Sequence, residues 1–124
     1  MNRLYSRGHI WVRLIAEREA LLGVTSHLVR SQKKPACINL CEPGDALRVG
    51  EWMGDIEFHK GVFELRCPVD GVVLDVNEAI LLDPHALQRD PEQWLVRMTN
   101  VSTPRALLDT AAYLRYIRTE RNET

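Results

Sequence analysis

The sequence predicts a mainly β fold, a small barrel or sandwich of two pseudo-symmetric halves with short helices at its edges and a C-terminal helix. Three observations predict it. Short aliphatic and alternating segments are separated by turn signals at intervals of roughly 8 to 12 residues, the rhythm of small all-β architectures. Gly44-x-x-Leu47-x-Val49-Gly50-Glu51 recurs as Gly71-x-x-Leu74-x-Val76-Asn77-Glu78, matched position for position at an offset of 27 residues. Near the end, Leu107, Leu108, Ala111, Leu114 and Ile117 recur at helical spacing.

The first element expected is a hairpin. His9 to Ile15 alternates, Glu17-Arg18-Glu19 makes a polar turn, and Ala20 to Val24 returns. Thr25 or Ser26 can cap one short helical turn running to Arg30, because a hydroxyl there accepts an orphan backbone N–H. Cys37 to Leu40 reads as a strand, and Glu42-Pro43-Gly44-Asp45 as a turn with proline fixing φ and glycine free to make it positive.

Two short strands follow, Ala46 to Val49 and Glu51 to Phe58. The chain then reverses at His59-Lys60-Gly61, where Gly61 supplies the left-handed residue of a tight hairpin. Val62 to Cys67 returns, Pro68 to Gly71 turns, and Val72 to Val76 is a strand. Asp83-Pro84 opens a single helical turn with Asp83 as cap and Pro84 at the first helical position. Gln93 to Met98 is a last strand, and Thr103-Pro104 starts the C-terminal helix, expected to pack one face on the sheet. With 124 residues the chain fills one compact domain, residues 1–124, with a β core over about 9–98 and a helix over about 104–121.

Composition narrows the function classes. Sixteen basic and seventeen acidic residues give a net charge of −1, so no global field draws the chain onto nucleic acid or anionic lipid. No apolar run approaches the roughly 20 residues that span a bilayer, and a cytoplasmic location is expected. Three cysteines, Cys37, Cys41 and Cys67, cannot all pair internally and suit a reducing compartment. In one extended strand Cys37 and Cys41 would lie about 13 Å apart at roughly 3.3 Å per residue, too far for a disulfide. The histidines at 9, 27, 59 and 85 form no helical His-x-x-x-His pair and the cysteines no Cys-x-x-Cys, which argues against a metal site. No nucleophile–base pattern or phosphate loop appears, so no catalytic residue is assigned.

The midpoint between the repeated leucines, Leu47 and Leu74, falls at 60.5, beside Lys60. Under the two-halved reading Lys60 projects from the hairpin that joins the halves, an accessible position for covalent modification. Glu57 and Glu64 flank it.

The chain resembles the H-protein of the glycine cleavage system, a relative of the lipoyl and biotinyl carrier domains. The resemblance runs from about His9 to Arg97. It is carried by His9-x-Trp11-Val12, Gly23-Val24-Thr25, Leu40-x-Glu42-x-Gly44-Asp45, Gly50-Glu51, Glu57-x-x-Lys60, Pro68-Val69-x-Gly71, Val76-Asn77-Glu78, Asp83-Pro84, Asp90-Pro91 and Trp94-Leu95-Val96. It implies a lipoyl/biotinyl-carrier-like barrel-sandwich hybrid and a non-catalytic carrier with lipoic acid amide-linked to Lys60. A lipoate ligase or lipoyl transferase would load that lysine. A long flexible arm of this kind raises the effective concentration of its cargo at successive partner sites.

Several positions depart from the family pattern: Ser26-His27 follows Thr25, His59 precedes Lys60, and Cys41 and Cys67 replace proline and a small residue. The nearly neutral charge is a further departure. The cysteines are read either as small buried hydrophobes or, with Cys37 and His59, as contacts of the groove that receives the arm, where thiol–disulfide exchange would be natural. On these departures the reading leans to a sulfur-oxidation carrier that presents sulfur to a heterodisulfide-reductase-like complex. The alternative is a glycine-cleavage H-protein carrying an aminomethyl group among the system's P-, T- and L-proteins. A third reading is an unmodified interaction module.

Overall fold

Period-two alternation decides most of the chain. In the computed structural model, which describes residues 3–123, the strands are β1 (Leu4–Tyr5), β2 (Ile10–Ala16), β3 (Glu19–Val24), β4 (Cys37–Leu40), β5 (Ala46–Leu47), β6 (Trp52–Phe58), β7 (Gly61–Arg66), β8 (Gly71–Val76) and β9 (Val96–Thr99). The helices are α1 (Ser26–Gln32), α2 (Glu78–Leu82), α3 (Ala86–Arg89) and α4 (Thr110–Glu123). A six-stranded sheet in the order β1-β2-β3-β9-β8-β5 packs against a three-stranded sheet in the order β4-β6-β7, and every pairing is antiparallel. The apolar faces meet in one cluster to which the first sheet gives Leu22, Val24, Val73 and Met98, and the second Ile38, Ile56, Phe58 and Leu65.

The duplicated sequence has a structural counterpart. The two copies are hydrogen-bonded to each other within the larger sheet, Ala46 opposite Val72 and Leu47 opposite Gly71. The ladder extends into the preceding turn, where the Gly44 N–H donates to the Val73 carbonyl and the Val73 N–H to the Asp45 carbonyl, both 2.8 Å. The copies therefore meet edge to edge in one sheet, rather than lying across from each other on facing sheets. β6 and β7 leave between them and return as the hairpin that ends at Lys60.

One glycine is forced by packing. A Cβ on Gly23 would lie 2.7 Å from the Trp11 ring and 2.8 Å from the Gln93 carbonyl oxygen. Trp11 is itself only 1% exposed, so its ring has nowhere to retreat.

Four local expectations need correction. Leu107 and Leu108 are not helical: the backbones of Tyr5 and Leu108 exchange two 2.7 Å hydrogen bonds, which hold this stretch extended, and Ala106 turns the chain at φ +58°. α4 therefore begins at Thr110, where the Asp109 carboxylate caps it by accepting the Ala112 N–H at 2.8 Å. Its inward side is aromatic: Tyr113 is buried, whereas Ala111 and Leu114 face solvent. The short helices also differ, since α2 follows directly on β8 and the Asp83-Pro84 turn leads into α3 with His85 at its cap.

Candidate functional site

Strand alternation positions the hairpin tip. Cys37, Glu57 and Val62 are register partners across β4, β6 and β7, so their side chains share the outer face, as do Asn39, Asp55 and Glu64 one step further in. Asn39 donates to Asp55 at 2.8 Å, and Glu64 pairs with Arg66. The alternate rows, Ile38-Ile56-Phe63 and Leu40-Gly54-Leu65, face the interior. A one-residue slip would exchange the two faces, so the buried row fixes the register that presents the tip.

At the tip Phe58 pairs with Gly61, leaving His59 and Lys60 as the two turn residues, both exposed. Gly61 takes φ +139°, a value side-chain-bearing residues rarely adopt, while His59 and Lys60 keep ordinary negative φ. The turn is anchored from outside, because the His59 N–H donates to the Lys33 carbonyl at 2.9 Å and the Ala36 N–H to the Glu57 carbonyl at 2.8 Å. Lys60 enters no ion pair among the described residues. The arrangement holds a primary amine in solvent on a turn fixed by the β6–β7 pairing and by the 33–36 segment.

The expected neighbours separate into two groups. His59 stands beside Lys60 on the exposed turn, and half-buried Cys37 sits two strand residues from the tip, opposite Glu57. Cys41 and Cys67 lie in the core at 4% and 1% exposure, and all three thiols are free. Burial, followed by the Asp45 charge, pushes the Cys41 thiol up to about 12. Burial likewise raises Cys67 to about 11, and its Sγ donates to the Val69 carbonyl at 3.1 Å. Two of the three cysteines are thus protonated core residues with no thiolate to offer an exchange reaction.

The fold also assembles a cluster that local spacing could not reveal. His9, where the chain enters β2, His27 in α1 and Glu120 in α4 bring their ligand atoms within 4.8 Å of one another. The absence of a ligand-spacing motif argued against any such grouping. It forms from three segments far apart in sequence, so the His9 to Glu120 contact is set by where α4 docks.

A cation-lined surface groove lies near the tip as well. Arg30, Lys33, Lys34 and Arg89 line it, with a volume of about 370 Å³. Among the described residues no helix is long and apolar enough to cross a membrane.

Comparison with known proteins agrees with this geometry. A family model described as glycine cleavage H-protein matches residues 3–120. The glycine cleavage system H protein of Herpetosiphon aurantiacus is 34% identical over 122 residues, covering 97% of this chain and 94% of that protein. That of Lachnoclostridium phytofermentans is 32% identical over 120 residues, covering 96% and 94%. The crystal structure of a glycine cleavage system H protein from Mycobacterium marinum superposes with a TM-score of 0.83 at 25% identity, covering 96% of each chain. On this match along nearly its whole length, the chain belongs to the glycine cleavage H-protein family, non-catalytic lipoyl carriers that hold lipoate covalently on a lysine.

Proposed function

We propose that the chain acts as a single carrier domain whose Lys60 bears the lipoyl group. We further propose that its cargo is the aminomethyl group of glycine, passed among the P-, T- and L-proteins of the glycine cleavage system. The observation that carries the reading is the exposed Lys60 amine, in no ion pair among the described residues, on a two-residue turn pinned by the Lys33 carbonyl. The residues fit the group: the amine is accessible for amide formation, and Gly61, with no atom within 4 Å of a would-be Cβ, leaves the tip open to a loading enzyme. When bound, lipoate would supply a dithiolane whose S–S bond opens on the electron pair left by decarboxylation of glycine, one sulfur bonding the cargo carbon and the other becoming a thiol. The chain's own part is to present that arm, with Glu57 and the Asp55–Glu64 row as an acidic face beside it.

Glycine cleavage is favoured over sulfur oxidation for two reasons. The similar proteins named above are glycine cleavage H proteins. The cysteines that suggested sulfur chemistry are core residues in two cases of three, which removes that argument for Cys41 and Cys67. The free thiols suit a cytoplasmic setting.

The test is intact-mass spectrometry after coexpression with a lipoate ligase, followed by reconstitution with the decarboxylase of the glycine cleavage system. One lipoyl addition lost in Lys60→Arg, together with Lys60-dependent exchange of labelled bicarbonate into glycine, is expected. Addition at another lysine would sink the site assignment. A lipoylated chain that supports no exchange would sink the cargo assignment.

A further inference from the structure

The His9 cluster lies outside the hairpin, and the inference from it is independent of the carrier reading. His9 is 6% exposed and sits at φ +66°, unusual for a residue with a side chain. Its backbone is held on both sides: its N–H donates to the Ser6 carbonyl at 3.1 Å, and its carbonyl accepts the Thr25 N–H at 3.0 Å. The ring is held too. Nδ1 lies 2.8 Å from Tyr113 Oη, which lies 2.7 Å from Thr25 Oγ1. Nε2 is left pointing at Glu120, 3.0 Å from Oε1, and His27 Nε2 approaches the same oxygen at 3.6 Å. Tyr116 Oη donates to Glu120 Oε2 at 3.2 Å, and the Phe63 ring, with its centroid 6.2 Å from that of His9, covers the apolar side.

A neutral His9 imidazole carries one ring proton, and its hydrogen-bond partners decide which nitrogen holds it. Two arrangements of that proton are open to the ring. In one, Nε2–H donates to Glu120 while the Tyr113 hydroxyl donates to Nδ1. In the other, Nδ1–H donates to Tyr113 Oη, whose hydroxyl donates to Thr25 Oγ1, and the Nε2 lone pair faces a carboxylate oxygen. That second arrangement sets two acceptors against each other at 3.0 Å, and a metal ion bound by both relieves the repulsion. It also supplies the outer-shell hydrogen bond that a metal-bound imidazole makes with its other nitrogen.

We propose that His9 Nε2, His27 Nε2 and a Glu120 carboxylate oxygen bind a divalent transition ion of the zinc class, clamping the C-terminal helix to β2 and α1. Donors placed tetrahedrally at roughly 2.0–2.1 Å from zinc stand about 3.3 Å apart. The two histidine–carboxylate separations of 3.0 and 3.6 Å bracket that value, and all three ligand atoms lie within 4.8 Å of one another, so the two rings close toward a shared ion. Two imidazoles and one carboxylate suit zinc, cobalt or nickel in preference to magnesium or calcium. The side chains of His27 and Glu120 are 24% and 35% exposed, which gives the ion a path in and leaves water as the fourth ligand.

The experiment uses the full-length protein without reductant, so that any dithiolane stays closed, in a Cys37→Ser background that removes the accessible thiol. Zn²⁺ is titrated against a chromogenic chelator, and Co²⁺ is followed by its visible absorption. One equivalent is expected to bind, with the band intensity of a four-coordinate nitrogen–oxygen site and a rise in Tm on adding Zn²⁺. Glu120→Gln and His27→Ala are each expected to weaken binding about tenfold or more and to abolish the Tm rise. Both positions are partly exposed, and circular dichroism of the metal-free variants checks that they fold. Equal affinity in parent and variants, or no saturable binding by the parent, overturns the proposal.

Discussion

The buried thiols make alkaline pH the most informative perturbation of this fold. Cys41 and Cys67 are 4% and 1% exposed, and their pKa values are raised to about 12 and about 11 from an ordinary 9.0, mainly by burial. For an acid whose folded pKa is raised, the unfolded chain ionises first. The stabilising difference is therefore complete below pH 9 and is lost as pH climbs toward the folded values. One pH unit of unmatched ionisation is worth about 1.4 kcal/mol per group. At about pH 10 each thiol is still protonated in the fold but largely ionised in the unfolded chain, so the pair removes roughly 2–3 kcal/mol relative to about pH 8.

Urea unfolding at the two pH values reads this directly, with the Cys41→Ala/Cys67→Ala double variant as control. Alanine removes the titration and leaves small cavities whose cost is the same at both pH values. The variant is expected to start less stable and to lose roughly 2–3 kcal/mol less than the parent across the interval. Parallel losses in parent and variant would refute the reasoning, because they would assign the alkaline sensitivity to groups other than the core thiols.

Three further outcomes follow from the same geometry. In native protein near pH 8 a thiol reagent should label one cysteine quickly, Cys37, and the other two only when denaturant is added; fast labelling of three would show Cys41 and Cys67 to be accessible. Gly23→Ala should cost about 1–3 kcal/mol in urea unfolding, because its methyl meets both a buried ring and a backbone carbonyl, and a loss under about 0.5 kcal/mol would mean that Trp11 moves aside. Gly61→Ala should cost about 1–3 kcal/mol from its φ of +139° with no steric clash. That variant should also slow lipoylation of Lys60, measured by mass spectrometry over time, and an unchanged rate would show that the tip geometry is irrelevant to the loading enzyme.

What was legible in the sequence is what local chemistry decides. Alternation gave β6, β7 and β8 within about a residue, Thr25 and Ser26 were both open as the α1 cap with the structure choosing Thr25, and Gly61 was legible as the residue that lets the chain reverse. Leu107 and Leu108 misled because a leucine pair fits a helical stripe as well as an extended segment, and only the distant Tyr5 backbone decides between them. The inward face of α4 was misread for a related reason. Tyr113 stacks on Tyr5 at 4.6 Å between centroids and reaches His9 and Thr25, contacts that no window of a dozen residues contains. The cysteines were ambiguous because a small buried thiol and a reactive one look the same in sequence, and burial alone separated them.

Thr25, His27 and His59 are tied to one element, α1. Thr25 caps its N-terminus by accepting the Leu28 N–H at 3.3 Å, and the same hydroxyl meets Tyr113, the partner of His9. His27, in its first turn, faces Glu120 of α4. At the other end the helix leaves through Lys33 and Lys34, two successive residues with positive φ, at +61° and +51°. That turn aims the Lys33 carbonyl at the His59 N–H, one residue from Lys60. α1 is thus fixed at its start by the C-terminal helix and at its end holds the tip that displays the lysine. A change that loosens α4, such as removing the Glu120 carboxylate, acts on the same short helix whose exit positions Lys60. His27 and His59 therefore mark the two ends of one structural support for the Lys60 turn.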